Sequence, residues 1–132
     1  MAILKGIEVL VVIAGKALTE YDHEDTADQN PEHPNEVSKY IEAVSDAEFS
    51  IDIRVSQYYD LTANDLSFIL RLDGVFVSNP VCTKAELKSL RKDWQTNVAG
   101  SYVKNGGEWS LRPFKFNDIK IGKARLHILI LY

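Results

Sequence analysis

The sequence predicts an all-β fold, a β-sandwich or jelly roll of about eight strands with one short helix. Three observations carry that expectation. "FSIDIRV" (Phe49–Val55) alternates apolar and polar residues with the period of a strand that has one face buried. Asp73-Gly74 and Asn105-Gly106-Gly107 each separate two β-prone runs, which is the signature of a tight hairpin. Only one stretch, "TKAELKSLRKDW", carries helix-start signals, whereas an α/β domain would alternate strands with helices.

Taken in order, "IEVLVVI" (Ile7–Ile13) reads as a strand, and Ala14-Gly15-Lys16 as a turn into "ALTEY". "EVSKYIEAV" (Glu36–Val44) alternates, placing Val37, Tyr40 or Ile41, and Val44 near one surface. In the next strand Phe49, Ile51, Ile53 and Val55 face inward while Ser50, Asp52 and Arg54 face out. "DLSFILRLDGVFVS" forms a hairpin about Asp73-Gly74. Thr83 caps the helix, Glu86 completes a capping box, and Leu87 with Leu90 supplies a narrow apolar face. "WQTNVAGSYV" then meets "EWSLRPFKF", whose Phe114 and Phe116 point into the core with Trp109 and Leu111 expected to follow them. Finally "NDIKIG" leads to "KARLHILILY". Residues 124–132 form a β-prone, nearly uncharged run that suits either a central strand or an edge onto which another copy adds a strand.

A length of 132 residues suits one domain spanning 1–132, and 45% hydrophobic with 26% charged residues is ordinary for a packed core. The lone Cys82 rules out an internal disulfide and favours a cytoplasmic or nuclear protein, with the thiol a small buried filler. The opening "MAILKGIEVLVVIAG" has Glu8 inside its apolar run and is too short to span a bilayer, so it reads as a strand and not as a leader or membrane segment.

The net charge of −4 conceals an asymmetry. Residues 1–82 carry five basic and fifteen acidic side chains (−10), and residues 83–132 carry ten basic and four acidic (+6). Such a chain can attract itself, within one molecule or between copies. Glu20–Glu36, "EYDHEDTADQNPEHPNE", holds seven of the nineteen acids and two of the three histidines. A calcium loop aligned on Asp22 puts Ala27 where glycine is needed and His33 where a bidentate glutamate belongs. The spacing of His23 and His33 matches no standard zinc pair. The composition favours a solvated acidic loop at 20–36, whose Asp22, Glu24, Asp25, Asp28 and Glu32 would engage basic surfaces.

Lys84, Lys88 and Arg91 or Lys92 fall at helical spacing beside Trp94 and suggest a basic contact face. A pI near 5.3 argues against nucleic acid as the partner. Tyr58 and Tyr59 sit at a loop and, with Trp94, suggest a sugar-stacking platform. No glycine-rich phosphate loop and no G-x-S-x-G elbow is present, and His127 stands alone in an apolar run. We therefore assign no catalytic residue, cofactor or metal ligand. The expectation is a non-enzymatic binding module for protein interaction or self-assembly as a homo-oligomer, using the acidic loop and the apolar terminal strand. A glycan-binding, lectin-like sandwich is the alternative.

Several separated blocks, "MAILKGIEVLVVIAGKALTEYDHED", "KYIEAVSDAEFSIDIRV", "LSFILRLDGVFVSNPVC" and "GGEWSLRPFKFNDIKI", together resemble a family of uncharacterised fungal proteins that share one domain of unknown function. The resemblance covers roughly residues 1–121 in order. It implies a fungal source and a β-rich domain, and it brings no activity, substrate or site residue with it. Family members resembling this chain commonly continue into polar tails, whereas this chain ends on "GKARLHILILY".

Overall fold

The computed structural model describes residues 2–22, 36–117 and 123–129. Strands follow one another closely: β1 (Ala2–Leu4), β2 (Ile7–Ile13), β3 (Lys16–Ala17), β4 (Glu20–Asp22), β5 (Glu36–Glu42), β6 (Glu48–Val55), β7 (Asp65–Ser67), β8 (Leu70–Leu72), β9 (Val75–Ser78) and β10 (Val81–Thr83). The one helix among the described residues, α1 (Lys84–Leu90), comes next, and β11 (Trp94–Val98), β12 (Gly100–Asn105), β13 (Glu108–Lys115) and β14 (Lys123–Leu129) follow it. The fold is all-β with a single short helix, as the sequence predicts. Its strands are more numerous than about eight because several expected runs are divided; "DLSFILRL" yields both β7 and β8.

The main sheet runs β1-β2-β6-β13-β12, with β3 added to β2 and β11 to β6. All its pairings are antiparallel. β6 organises it. One side of β6 takes β2, from Ile7↔Val55 to Val12↔Ser50. The other side is shared, β11 taking Ile51–Val55 and β13 only Glu48 and Phe49. β10-β7 and β8-β9 form two-stranded sheets, and β14-β5-β4 a three-stranded one.

The predicted alternation of β6 holds: Ile51, Ile53 and Val55 are buried, and Ser50, Asp52 and Arg54 lie on the other face. Across the register Ile7, Val9 and Trp94 join them, and Cys82 and Leu87 close the first core cluster. Burial of each such aliphatic side chain contributes about 1.5–3 kcal/mol. A second cluster gathers Val11, Ile41, Ala43 and Phe116. Phe49 packs against both clusters, stacking on Phe116 with ring centroids 4.4 Å apart.

Two expectations at the ends of elements are corrected. Val44 is exposed because β5 ends at Glu42, and the inward residues are Ile41 and Ala43. Leu90 is also exposed, leaving Leu87 as the buried anchor of α1. The Asp73-Gly74 turn forms as predicted, with φ of 49° and 78° in the left-handed region that a type I′ hairpin requires.

Candidate interaction surfaces

The β12–β13 hairpin runs in continuous register from Asn105↔Glu108 to Gly100↔Pro113. Only Phe114 and Lys115 of β13 pair with β6, so the rest of the hairpin extends past the sheet that would otherwise cover it. Tyr102 lies opposite Leu111 and Lys104 opposite Trp109, which puts all four on one face. That face is open. Tyr102 is 72% exposed, Trp109 67% and Leu111 45%. The Lys104 Nζ stands 5.8 Å from the Trp109 ring centroid, within reach of a cation–π attraction.

This corrects the expected burial of Trp109 and Leu111. Phe114 and Phe116 do point into the core. The pairing continues through Pro113 without a shift, however, so residues 109, 111 and 113 stay on the face opposite 114. The parity of the positions held the signal, and the hairpin's reach beyond β6 was not readable from it. At the base of the hairpin, Val12, Ser50, Leu111 and Pro113 help line a shallow depression of about 260 Å³.

The open face of the main sheet carries a cross-strand polar row. The Arg54 guanidinium lies 3.8 Å from Glu8 and 4.0 Å from Asp52. The Asn97 amide donates to Ser50 Oγ at 2.9 Å and also to Asp52 Oδ1. With Arg54 40% exposed in its side chain, pairs of this length are worth at most about 1 kcal/mol each. Among the described residues the Arg54 Nε and the Glu8 Oε1 have no hydrogen-bond partner, and the row is otherwise held by the ion pairs of Arg54 and the hydrogen bonds of Asn97.

The residues expected to form a basic and aromatic site do not come together. Trp94 is only 8% exposed and stacks on Phe68, with centroids 5.9 Å apart and rings 10° from parallel. Its register opposite Val55 turns it into the core, so it offers no face to a sugar or a partner. Tyr59 packs against the same core, and Tyr58 alone is fully open at 86% exposure. Lys84 and Lys88 lie on α1, but the helix ends at Leu90 and Arg91 is its C-cap in a left-handed conformation. Arg91 therefore leaves the helical spacing that would have aligned it with the two lysines. The capping box forms as predicted: Glu86 N donates to Thr83 Oγ1 at 3.1 Å, and Thr83 N donates to Glu86 Oε2 at 3.0 Å. The groove of about 540 Å³ between α1 and β11 mixes Glu86 and Asp93 with Lys92, which makes it polar and not uniformly basic.

Cys82 is fully buried, and that burial, with the Glu86 carboxylate nearby, pushes its thiol up to about 11. At neutral pH it is a protonated core residue and supplies no thiolate nucleophile. No group of three or more metal-ligating side chains occurs among the described residues. No helix among them is long and apolar enough to cross a membrane.

The acidic stretch is not a loop throughout. Glu20–Asp22 forms β4, paired with β5 from Glu20↔Ile41 to Asp22↔Lys39, and Glu36 begins β5. Glu24, Asp25, Asp28 and Glu32, with His23 and His33, lie outside the described residues. β14 pairs with β5 over seven residues, from Lys123↔Glu42 to Leu129↔Glu36, and ends the three-stranded sheet. The register places Ala124, Leu126 and Ile128 on the sheet face of Ile41, and Lys123, Arg125, His127 and Leu129 on the other.

No curated protein and no solved structure matches the chain. A family model does match, over residues 6–127, and so spans both core clusters, the projecting hairpin and most of β14. The chain belongs to the family defined by that domain of unknown function, DUF7918.

Proposed function

We propose that the protein is a non-enzymatic binding module that works through protein interaction, and that one form of this is self-assembly through β14. The observation that carries the reading is the edge position of β14, which pairs with β5 alone among the described strands. An edge strand presents a row of backbone N–H and C=O groups, and a second copy offers the same row. A two-fold axis pairs the two strands antiparallel. The pairing that overlaps all seven residues of β14 sets Leu126 on the axis and Arg125 opposite His127 of the other copy. It also extends the Ala124, Leu126 and Ile128 face continuously across both molecules.

The charge split supports a second, weaker attraction between copies, through the acidic residues Asp22, Glu24, Asp25, Asp28 and Glu32. The two are separable by salt. Backbone strand pairing persists at high ionic strength, whereas acid–base association is screened away. Sedimentation velocity at low and high salt reads both: a dimer at each salt supports β14 pairing, and a strict monomer at every concentration removes self-assembly. The reading extends to a cytoplasmic or nuclear protein of fungal source, supported by the single buried thiol and by the sequence blocks. Glycan stacking by Tyr58, Tyr59 and Trp94 is not retained, because the Trp94 ring is covered by Phe68.

A further inference from the structure

We infer that the Tyr102–Lys104–Trp109–Leu111 face of the β12–β13 hairpin is a docking surface for an acidic protein segment. This rests on observations separate from the β14 edge. Three large apolar side chains stay exposed on one face of a projecting hairpin, and contiguous apolar surface of that kind marks an interaction site more often than it marks a plain solvated strand. Tyr and Trp are the residue types that dominate the energetics of such contacts.

Charge selects the occupant. Within the hairpin, the face carrying Tyr102 and Trp109 has Lys104 and Lys115 and no acid. Its acid, Glu108, lies on the opposite face with Arg112. In the register Glu48 lies opposite Lys115 at the base of the docking face, while Lys104 lies opposite Trp109 and not an acid. Lys104 already stands over Trp109, so a carboxylate meeting that ammonium would lie at the rim of the aromatic ring. An acidic segment with interspersed apolar or aromatic residues fits both features, and rim charge of this kind governs association rate and salt dependence. A neutral saccharide would use the rings but gain nothing from the lysines. A phosphate backbone would be opposed by the net charge of −4.

The test uses the 132-residue protein and a fluorescent synthetic peptide with the sequence of Glu20–Glu36, which carries seven carboxylates. Fluorescence anisotropy is recorded at low and high salt. Binding is expected at low salt, weakened at least tenfold by the double change Tyr102→Ser with Trp109→Ser, and weakened further by Lys104→Glu. The same peptide with its acids replaced by their amides is expected not to bind. Circular dichroism and unfolding midpoints report whether the variants keep the fold, which the exposure of these residues predicts. Equal binding to the wild type and the double variant overturns the proposal. So does binding of the amide peptide as tightly as the acidic one. If neither peptide binds while a glycan array or anionic vesicles show Trp109-dependent binding, the occupant is not an acidic protein segment.

Discussion

Gly100 lies opposite Pro113 at the base of the β12–β13 hairpin, so close to the facing strand that a Cβ on Gly100 would fall 2.2 Å from the Arg112 carbonyl oxygen. The facing atoms are backbone, which cannot swing aside. The φ at this position lies outside the left-handed region, so the requirement for glycine comes from close approach and not from dihedral freedom. Gly100→Ala is therefore expected to cost about 2–4 kcal/mol in urea unfolding. A cost within about 0.5 kcal/mol, the scatter of surface changes, would show that the strands do not approach as described.

The two tryptophans should respond oppositely to truncation. Trp94→Ala removes a ring stacked on Phe68 in the core cluster that holds Ile53 and Val55 and is expected to destabilise by about 3–5 kcal/mol. Trp109→Ala removes an exposed ring and should stay within about 0.5 kcal/mol. Denaturant midpoints of the two variants check this, and comparable losses would contradict the assignment of burial. Iodide quenching gives the same answer without mutation, since only one of the two indoles is open to it.

The capping box of α1 makes a smaller prediction. Thr83→Ala removes the acceptor for Glu86 N and should cost about 1 kcal/mol. Glu86→Ala removes the reciprocal bond to Thr83 N. The double variant should lose less than the sum, because the Thr83 hydroxyl also donates to Glu86 Oε2 at 3.1 Å, a bond that either change removes. Strictly additive losses in a double-mutant cycle would mean that the box does not act as a unit.

The Cys82 thiol supplies a pH prediction with a definite sign. Its folded value, about 11, lies above the ordinary value of 9.0. The folded state therefore holds the proton more tightly, and the stability linked to it is fully present below pH 9 and is lost as pH rises toward 11. Two pH units correspond to roughly 2–3 kcal/mol at the upper end. Urea unfolding of the wild type and Cys82→Ala at neutral and alkaline pH should show a steeper alkaline fall for the wild type. Parallel curves would contradict the burial of the thiol. Labelling by a thiol reagent should likewise be slow in the native protein and fast in urea.

How far the sequence revealed this molecule depended on whether the relevant physics was local. The alternation of Phe49–Val55, the Asp73-Gly74 turn and the Thr83–Glu86 box are set by neighbours a few residues apart, and all three formed as read. Trp94, offered as part of a contact surface, lies inside, and Trp109, expected to follow Phe114 and Phe116 into the core, lies outside. Each depends on a long-range fact: Trp94 lies inside because it pairs with Val55, and Trp109 lies outside because β13 meets β6 only at its last two residues, Phe114 and Lys115. Arg91 failed as a helix-face residue for a local reason, since its left-handed C-cap ends α1 one residue earlier. Composition allowed β14 either a central or an edge position, and among the described strands it pairs with β5 alone.

Self-assembly through β14 is tested most directly by a pair of charge changes at one position. In the two-fold pairing centred on Leu126, residue 127 of each copy faces Arg125 of the other, so each substitution acts twice. Cross-strand charge pairs contribute about 0.2–1 kcal/mol each, attractive or repulsive. Analytical ultracentrifugation at low salt, where the cross-strand charges are not screened, should show a dimer for the wild type, a shift toward monomer for His127→Lys, and a dimer at least as tight for His127→Glu. Both variants keep the pairing face of Ala124, Leu126 and Ile128, so a loss of fold would not imitate this opposite response. A wild-type protein that sediments as a monomer throughout its soluble range, or two variants that shift the equilibrium in the same direction, would contradict the account.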